Sequence, residues 1–253
     1  MKKLTVLGLG YIGLPTASIL ALSGYKVSGF DINPKISETL QSCASGLTDH
    51  EPELRNTIDL ALASGNFSIT DEPAEADTYI FCVPTPVTNV DNSRKPCLNA
   101  LYAALHSIIN LLKPNDLIII ESTVPVGTCE TLEQHIRSER PEINVHVAYC
   151  PERVLPGNIL NELRANSRII GGTSTTASQL AKEVFSSFVT GSIHITSSRT
   201  AELCKLAENS FRDVNIAFAN ELASIAEKND VNPWELIKLT NEHPRVNILS
   251  PGP

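Results

Sequence analysis

An apolar run, LTVLG (4–8), passes directly into Gly8, Gly10 and Gly13 at GxGxxG spacing, and the segment that follows, LPTASILALSGY (14–25), carries apolar residues at helical period. A strand that enters a helix through three glycines has few conformations open to it. The first glycine permits a tight turn, the second lets a pyrophosphate approach the backbone, and the third allows the helix to pack closely on the strand. The helix start then offers unpaired N–H groups to an anion. The next apolar run, KVSGFD (26–31), ends in Asp31, where a carboxylate can accept hydrogen bonds from a ribose and would repel a 2′-phosphate. The pattern points to a dinucleotide site that takes NAD rather than NADP; a ligand-free glycine turn is the plainer alternative.

Further apolar runs recur at TYIFCV (78–83), LIIIES (117–122), VHVAY (145–149), RIIG (168–171) and SIHIT (192–196), with helical stretches such as LNALYAALHSIINLLK (98–113) between them. Such alternation predicts an α/β fold with a doubly wound parallel sheet, of about seven strands. After Thr196 the pattern changes. Ser198 to Asn229 contains neither Gly nor Pro and reads as one long helix, and Asn232-Pro233 opens another, with Asn as cap and Pro in the first helical position. The expected organisation is a Rossmann-like domain over 1–197 and the start of a helical domain over 198–253, which ends in the loop composition Ser250-Pro251-Gly252-Pro253.

Composition narrows the function classes. With 253 residues, 42% of them apolar, a core can form without covalent staples. A net charge of −8 with no Lys/Arg-rich run argues against a nucleic-acid surface. No apolar stretch approaches the roughly 18 residues that a membrane span needs. The six cysteines (Cys43, Cys82, Cys97, Cys129, Cys150, Cys204) stand singly, without a CxxC pair or a Cys/His set at metal spacing, so free thiols and no metal are expected. Neither do the histidines fall at triad or ligand spacing. With no signal-peptide pattern at the N-terminus, the reading is of a cytoplasmic protein.

Two loops, CVPTP (82–86) and ESTVPVGT (121–128), each follow a strand, and open α/β sheets bind ligands beyond the carboxyl ends of their strands. Pro84, Pro86 and Pro125 stiffen these turns and leave Thr85, Ser122 and Thr123 as fixed hydroxyls; ordinary strand-capping turns are the alternative, and Glu121 reads equally as a structural carboxylate or a ligand group. A third loop, YCPERVLPG (149–157), presents Glu152 and Arg153. On the long helix Glu202, Lys205, Asn209 and Arg212 share one face. A Lys and an Asn one turn apart can present an ammonium and an amide to one anionic oxygen, yet spacing alone favours a solvated face with a Glu202–Lys205 pair.

Taken together, GLGYIGLP, CVPTP, ESTVPVGT, YCPERVLPG, RTAELCKLAENSFRDVNIAFANEL and HPRVNILSPGP resemble, in order and through essentially the whole chain, the nucleotide-sugar 6-dehydrogenase family, in its acetamido-sugar branch. The resemblance implies oxidation of a sugar C6 alcohol to a carboxylate by two NAD+, through a cysteine-bound thiohemiacetal and thioester, to supply surface polysaccharide synthesis. It implies that Gly8, Gly10, Tyr11, Ile12 and Gly13, with Asp31, Lys35, Thr85 and Thr123, hold NAD. Lys205 and Asn209 would stabilise the oxyanion, Thr123 would help position water or cofactor, and Glu152 would serve the acid/base and hydrolytic steps. Arg153, Lys205, Asn209 and Arg245 would meet the UDP-sugar, Arg245 across the interface of a homodimer built on the helix after residue 198. Two departures stand out. Pro156 replaces a second glutamate found four residues after the first, and the family's cysteine-bearing segment follows a loop like SPGP. The chain therefore reads as an N-terminal portion that binds NAD without turnover; the alternatives are a two-electron β-hydroxyacid-type dehydrogenase and a non-catalytic dinucleotide-binding or dimerisation module.

Overall fold

Parallel strands buried on both faces need continuous apolar runs, and the central strands have them. In a computed structural model that describes residues 2–36, 51–90, 93–154 and 157–252, apart from the side chains of Pro52 and Val90, the strands of the main sheet are β1 (Lys3–Leu7), β2 (Lys26–Phe30), β3 (Phe67–Ile69), β4 (Thr78–Phe81), β7 (Leu117–Ile120), β8 (His146–Tyr149), β9 (Arg168–Gly172) and β10 (Ile193–Ser197). A separate antiparallel hairpin joins β5 (Val87–Val90) to β6 (Ser93–Pro96). The eight strands lie in the order β10-β9-β8-β7-β4-β1-β2-β3. Three of these strands lie outside the seven runs. β3 is three residues long and the hairpin is polar, so neither carries an apolar alternation.

The sheet is parallel from β3 to β8, but β8 and β9 pair antiparallel through Ala148↔Gly172 and Tyr149↔Gly171. β9 and β10 thus run opposite to the rest, so the doubly wound sheet is parallel except for this one pairing. Arg168, the first residue of β9, pairs with Glu121 just past the end of β7, so β9 starts at the edge where β7 and β8 finish.

Helices cover both faces. α1 (Gly13–Leu22), α2 (Pro52–Ala63) and α6 (Thr175–Phe185) contribute Leu14, Ile19, Leu54, Ile58 and Phe185 to one apolar cluster. α3 (Asn99–Ile108) and α4 (Thr128–Glu139) contribute Leu101, Leu105, Leu132 and Ile136 to the other. α3 stops short of Lys113 because the N–H groups of Leu111 and Leu112 turn onto the carbonyl of Ile108. Packing of α3 beside α4 also brings His106 and His135 within 3.3 Å, a meeting that the spacing of histidines along the chain did not reveal. The short α5 (Ile159–Ala165) links β8 to β9.

The chain forms two compact units, Met1–Leu203 and Cys204–Pro253, divided within the long α7 (Ser198–Lys228). In the second unit α8 (Pro233–Thr240) begins as its sequence predicts, with Asn232 Oδ1 accepting the N–H of Trp234 at 3.0 Å and of Glu235 at 3.3 Å. Its core is small: Ala219, Ile237 and Ile248, flanked by Leu222 and Val246. Side-chain amides pin the last segment, Asn241 pairing both ways with the backbone of Ile248 and Asn220 with that of Gly252. Among the described residues no helix is long and apolar enough to cross a membrane.

Candidate active site

The glycine turn after β1 shows why each glycine is there. Gly8 adopts φ +93° and donates to the carbonyl of Phe30 at 2.8 Å, and a Cβ on it would lie 2.4 Å from the Cys82 carbonyl oxygen. A Cβ on Gly13 would meet the Gly8 carbonyl oxygen at 1.8 Å, whereas no described atom lies within 4 Å of one built on Gly10. The outer glycines are demanded by backbone packing, and the middle one faces open space. Among the described residues, α1 starts there with no capping side chain and no acid in its first turn, leaving its N–H groups and dipole to an external anion.

Asp31 has two duties. Its Oδ2 accepts the N–H of Leu9 and its Oδ1 that of Asn33, both at 2.8 Å, so the carboxylate that would meet a ribose also ties the glycine turn to the end of β2. Beside it opens a cleft of about 210 Å³ lined by Leu7, Gly8, Phe30, Asp31, Ile32, Val83, Pro84 and, from α3, Ala100, Ala103, Ala104 and Ser107. An apolar slot next to a ribose acceptor suits an adenine ring. The residue-by-residue reading missed the α3 wall; its signal was the run of small residues on one face of the 98–113 segment.

The strand order places the carboxyl ends of β1, β4, β7 and β8 side by side, with the direction of winding reversing between β1 and β4. Such a reversal opens a crevice for ligands. Thr85 Oγ1 donates to the Thr123 carbonyl at 2.6 Å and Ser122 Oγ to that of Val83 at 2.7 Å, so the two proline-stiffened loops are bonded to each other. With its proton spent on that bond, the Thr85 hydroxyl retains only acceptor capacity. Lys35 is exposed, its N–H on Asn33 Oδ1 at 3.2 Å. Ile12 is half-buried at the cap of α1. Tyr11 turns its hydroxyl to Glu51 Oε1 at 3.3 Å, and burial with that neighbouring carboxylate raises its pKa. Glu51 in turn accepts the N–H groups of Gly157 and Ile159 at 2.7 and 3.0 Å. Tyr11 thus fastens the glycine turn toward α5 through its side chain.

Beneath the glycine turn lies a buried ion pair. Arg168 Nη1 meets Glu121 Oε1 at 3.1 Å and the Pro151 carbonyl at 3.4 Å, while the guanidinium carbon sits 5.1 Å from the Phe185 ring centroid. Glu121 Oε2 accepts from Thr16 Oγ1 and Cys82 Sγ, each at 3.3 Å. Desolvation raises the Glu121 pKa although Arg168 opposes the shift. Arg168 Nη2 is buried without a hydrogen-bond partner among the described residues. The question left open for Glu121 is answered by this geometry: it joins α1, β4, β7 and β9 below the cleft.

In the third loop Glu152 Oε2 accepts the N–H of Val154 at 2.9 Å. Arg153 donates to the Ser167 carbonyl at 2.9 Å, and its own carbonyl accepts from Asn166 Nδ2 at 2.7 Å, so at least one guanidinium donor closes the loop. Pro156 lies outside the described residues. Burial pushes the thiols of Cys82 and Cys129 well up and that of Cys150 to about 12. Held protonated, these three are poor nucleophiles.

Glu202 is fully buried, its carboxylate accepting the N–H of Gly127 at 2.6 Å and of Cys129 at 2.9 Å. It caps α4 from a distance, a role its helical spacing concealed. In the second unit Lys205 is 7% exposed, while Asn209, Arg212 and Arg245 are exposed, Arg245 in the turn after α8. Glu202 and Lys205 are therefore buried, unlike a solvated face, while the side chains of the next turns reach solvent.

Residues 2–189 match the NAD binding domain of the UDP-glucose/GDP-mannose dehydrogenase family, and residues 199–253 match that family's central domain. The UDP-N-acetyl-D-mannosamine dehydrogenase of Methanococcus aeolicus is 51% identical over 253 residues, which are 100% of this chain and 57% of the relative. An NDP-N-acetyl-D-galactosaminuronic acid dehydrogenase of Ralstonia nicotianae is 45% identical, across 100% of this chain and 61% of its own length. The solved structure of UDP-D-ManNAc dehydrogenase from Pyrococcus horikoshii superposes with a TM-score of 0.91 at 42% identity, covering 99% of this chain and 60% of that one. The chain thus spans about three fifths of the length of these relatives.

Proposed function

Because the chain belongs to the UDP-glucose/GDP-mannose dehydrogenase family, we propose that it serves the NAD-dependent oxidation of the C6 alcohol of UDP-N-acetyl-D-mannosamine to the carboxylate. The cofactor half of this reading is carried by one observation: Gly10 faces open space between two glycines that admit no side chain, beside Asp31 and an apolar slot. The residues present fit NAD. The substrate half is supported by the name of the relative that is 51% identical.

When bound, NAD+ supplies a hydride acceptor, used twice for the four electrons between alcohol and carboxylate. The chain's own groups hold and orient. The glycine turn and the start of α1 take the pyrophosphate, Asp31 the ribose, and the slot against α3 the adenine. Thr85 accepts a hydrogen bond, and Thr123 positions cofactor or water. Glu152 exchanges the proton at its carboxylate, and Lys205 with Asn209 offers donors to the oxyanion at C6. Arg153 and Arg245 meet the UDP-sugar, Arg245 from a second copy of the chain. The homodimer forms through α7, where Phe211, Val214, Phe218 and Ile225 are exposed at helical spacing. In this reading the nucleophile is none of Cys82, Cys129 and Cys150. A reducing, cytoplasmic setting agrees with the five described cysteines being free thiols.

Calorimetric titration with NAD+ and NADP+, followed by an NADH-absorbance assay with UDP-N-acetyl-D-mannosamine and its galactose-configured isomer, tests both halves. NAD+ is expected to bind more tightly than NADP+. Failure to bind either would overturn the cofactor assignment. In the assay of a full-length protein carrying these residues, faster NADH formation from the galactose-configured sugar would overturn the substrate assignment alone.

A further inference from the structure

We propose that His106, His135 and Glu139 form a binding site for a divalent transition metal of the zinc class, clipping α3 to α4. The three residues come from two helices packed on the same apolar cluster, and their ligand atoms converge. His106 Nε2 and His135 Nε2 are 3.3 Å apart, and Glu139 Oε1 lies 3.4 Å from the first and 2.7 Å from the second. Zinc binds imidazole and carboxylate at about 2.0–2.1 Å in a tetrahedron, so neighbouring ligand atoms in such a site stand about 3.3 Å apart. Two of the three edges already have that length. The third, the 2.7 Å contact of Glu139 with His135, would lengthen by roughly half an ångström around a metal, within the reach of a glutamate one helical turn from its partner histidine.

The donor set is equally specific. Two imidazole nitrogens and one carboxylate oxygen suit zinc, cobalt or nickel and are a poor match for calcium or magnesium, which prefer all-oxygen shells. Three protein ligands leave a fourth position for water. The side chains are 52%, 33% and 37% exposed for His106, His135 and Glu139, so an ion can enter without unfolding the helices. Tyr102 lies one turn before His106, its ring edge-on to that of His135 with centroids 5.6 Å apart, which fixes the orientation of that imidazole. Arg140, next along the chain, is engaged by Glu142 and the Ile109 carbonyl, so this cation is held by its own partners.

The position gives the site a consequence. α3 lines the adenine slot with Ala100, Ala103, Ala104 and Ser107, and presents Tyr102 and His106 to α4. A metal on the outer face would join the wall of the slot to the helix that follows the ESTVPVGT loop. Because such an ion binds the folded pair of helices and not an unfolded chain, it should raise the melting temperature in proportion to the logarithm of its concentration.

The test is titration of the 253-residue chain with Co2+, read by visible absorption. One equivalent should produce the intense d–d bands of tetrahedral cobalt without a thiolate charge-transfer band, and Zn2+ should displace them. His106→Gln and His135→Gln should each remove the bands and the metal-dependent rise in melting temperature, with circular dichroism unchanged. The double variant Cys97→Ser/Cys204→Ser should keep both. Weak octahedral bands only, or tetrahedral bands that survive either histidine variant, would overturn the proposal.

Discussion

The two units differ in how large a buried core each one forms. In Met1–Leu203 the strands bury their runs between helices, and buried charges find partners within the unit: Glu121 with Arg168, Glu202 with the N–H groups of Gly127 and Cys129. Among the described residues of Cys204–Pro253 the buried cluster consists of Ala219, Ile237 and Ile248, while Phe211, Val214, Phe218, Ile225, Trp234 and Leu239 are each more than half exposed. Scattered exposed apolar side chains are ordinary, but a contiguous stripe marks an interaction face. The difference teaches that the first unit is organised around large buried clusters, whereas the second carries much of its apolar surface on the outside of its helices.

The largest effect should come from opening the closed unit. Arg168→Met leaves Glu121 buried without its cation, and breaking such a pair costs about 3–5 kcal/mol. Urea denaturation should show that loss, and a cost below about 1 kcal/mol would mean the pair is not what closes the sheet. Glu121 also sets a pH dependence. Its folded pKa is raised by desolvation above the ordinary 4.5, so the folded state holds the proton more tightly than the unfolded chain. That stability is present below the unfolded value and is lost as pH rises through the folded one. Measured against Glu121→Gln, the wild-type protein should therefore lose relative stability as pH rises from 4.5; parallel curves would contradict the shift.

A smaller effect, with a different readout, is expected in the open unit. Phe218→Glu should change unfolding free energy little, because the ring is already exposed. Burial of a Phe at an interface is worth about 1.5–3 kcal/mol, so self-association seen by light scattering should weaken by roughly tenfold to a hundredfold. A variant that unfolds readily while associating as before would erase the contrast between the units.

How much of this was legible in the sequence follows the same division. The glycine turn, Asp31 and the loops after β4, β7 and β8 could be read because local spacing dictates them: Gly8 and Gly13 are where a Cβ cannot fit. The doubly wound parallel sheet was legible from its apolar runs, whereas the single antiparallel pairing of β8 with β9 and the contact of Arg168 with Glu121, residues 47 apart, were not. Glu202 looked like half of a surface pair at helical spacing, yet it caps α4 from 73 residues away. His106 and His135 are 29 residues apart and meet only once two helices share a core. Periodicity reports which face of an element is apolar and says nothing of which distant polar group will lie against it.

The smallest expected effect sits where both kinds of information meet. Asp31→Asn retains one carbonyl oxygen but replaces the other acceptor by an amide donor, so either the Leu9 or the Asn33 N–H loses its bond. A hydrogen bond to a charged group contributes about 1.5–3 kcal/mol, an ordinary one about 1 kcal/mol. If Asp31 served the ribose alone, NAD+ affinity would fall and folding stability would not. Because the carboxylate also fastens the glycine turn to β2, both should fall together: affinity by about tenfold, equivalent to 1.4 kcal/mol, and stability by roughly 1 kcal/mol. Calorimetric titration and thermal unfolding on the same variant separate the cases. Lost affinity at unchanged stability would reduce Asp31 to a ligand contact; lost stability at unchanged affinity would reduce it to a brace for the turn.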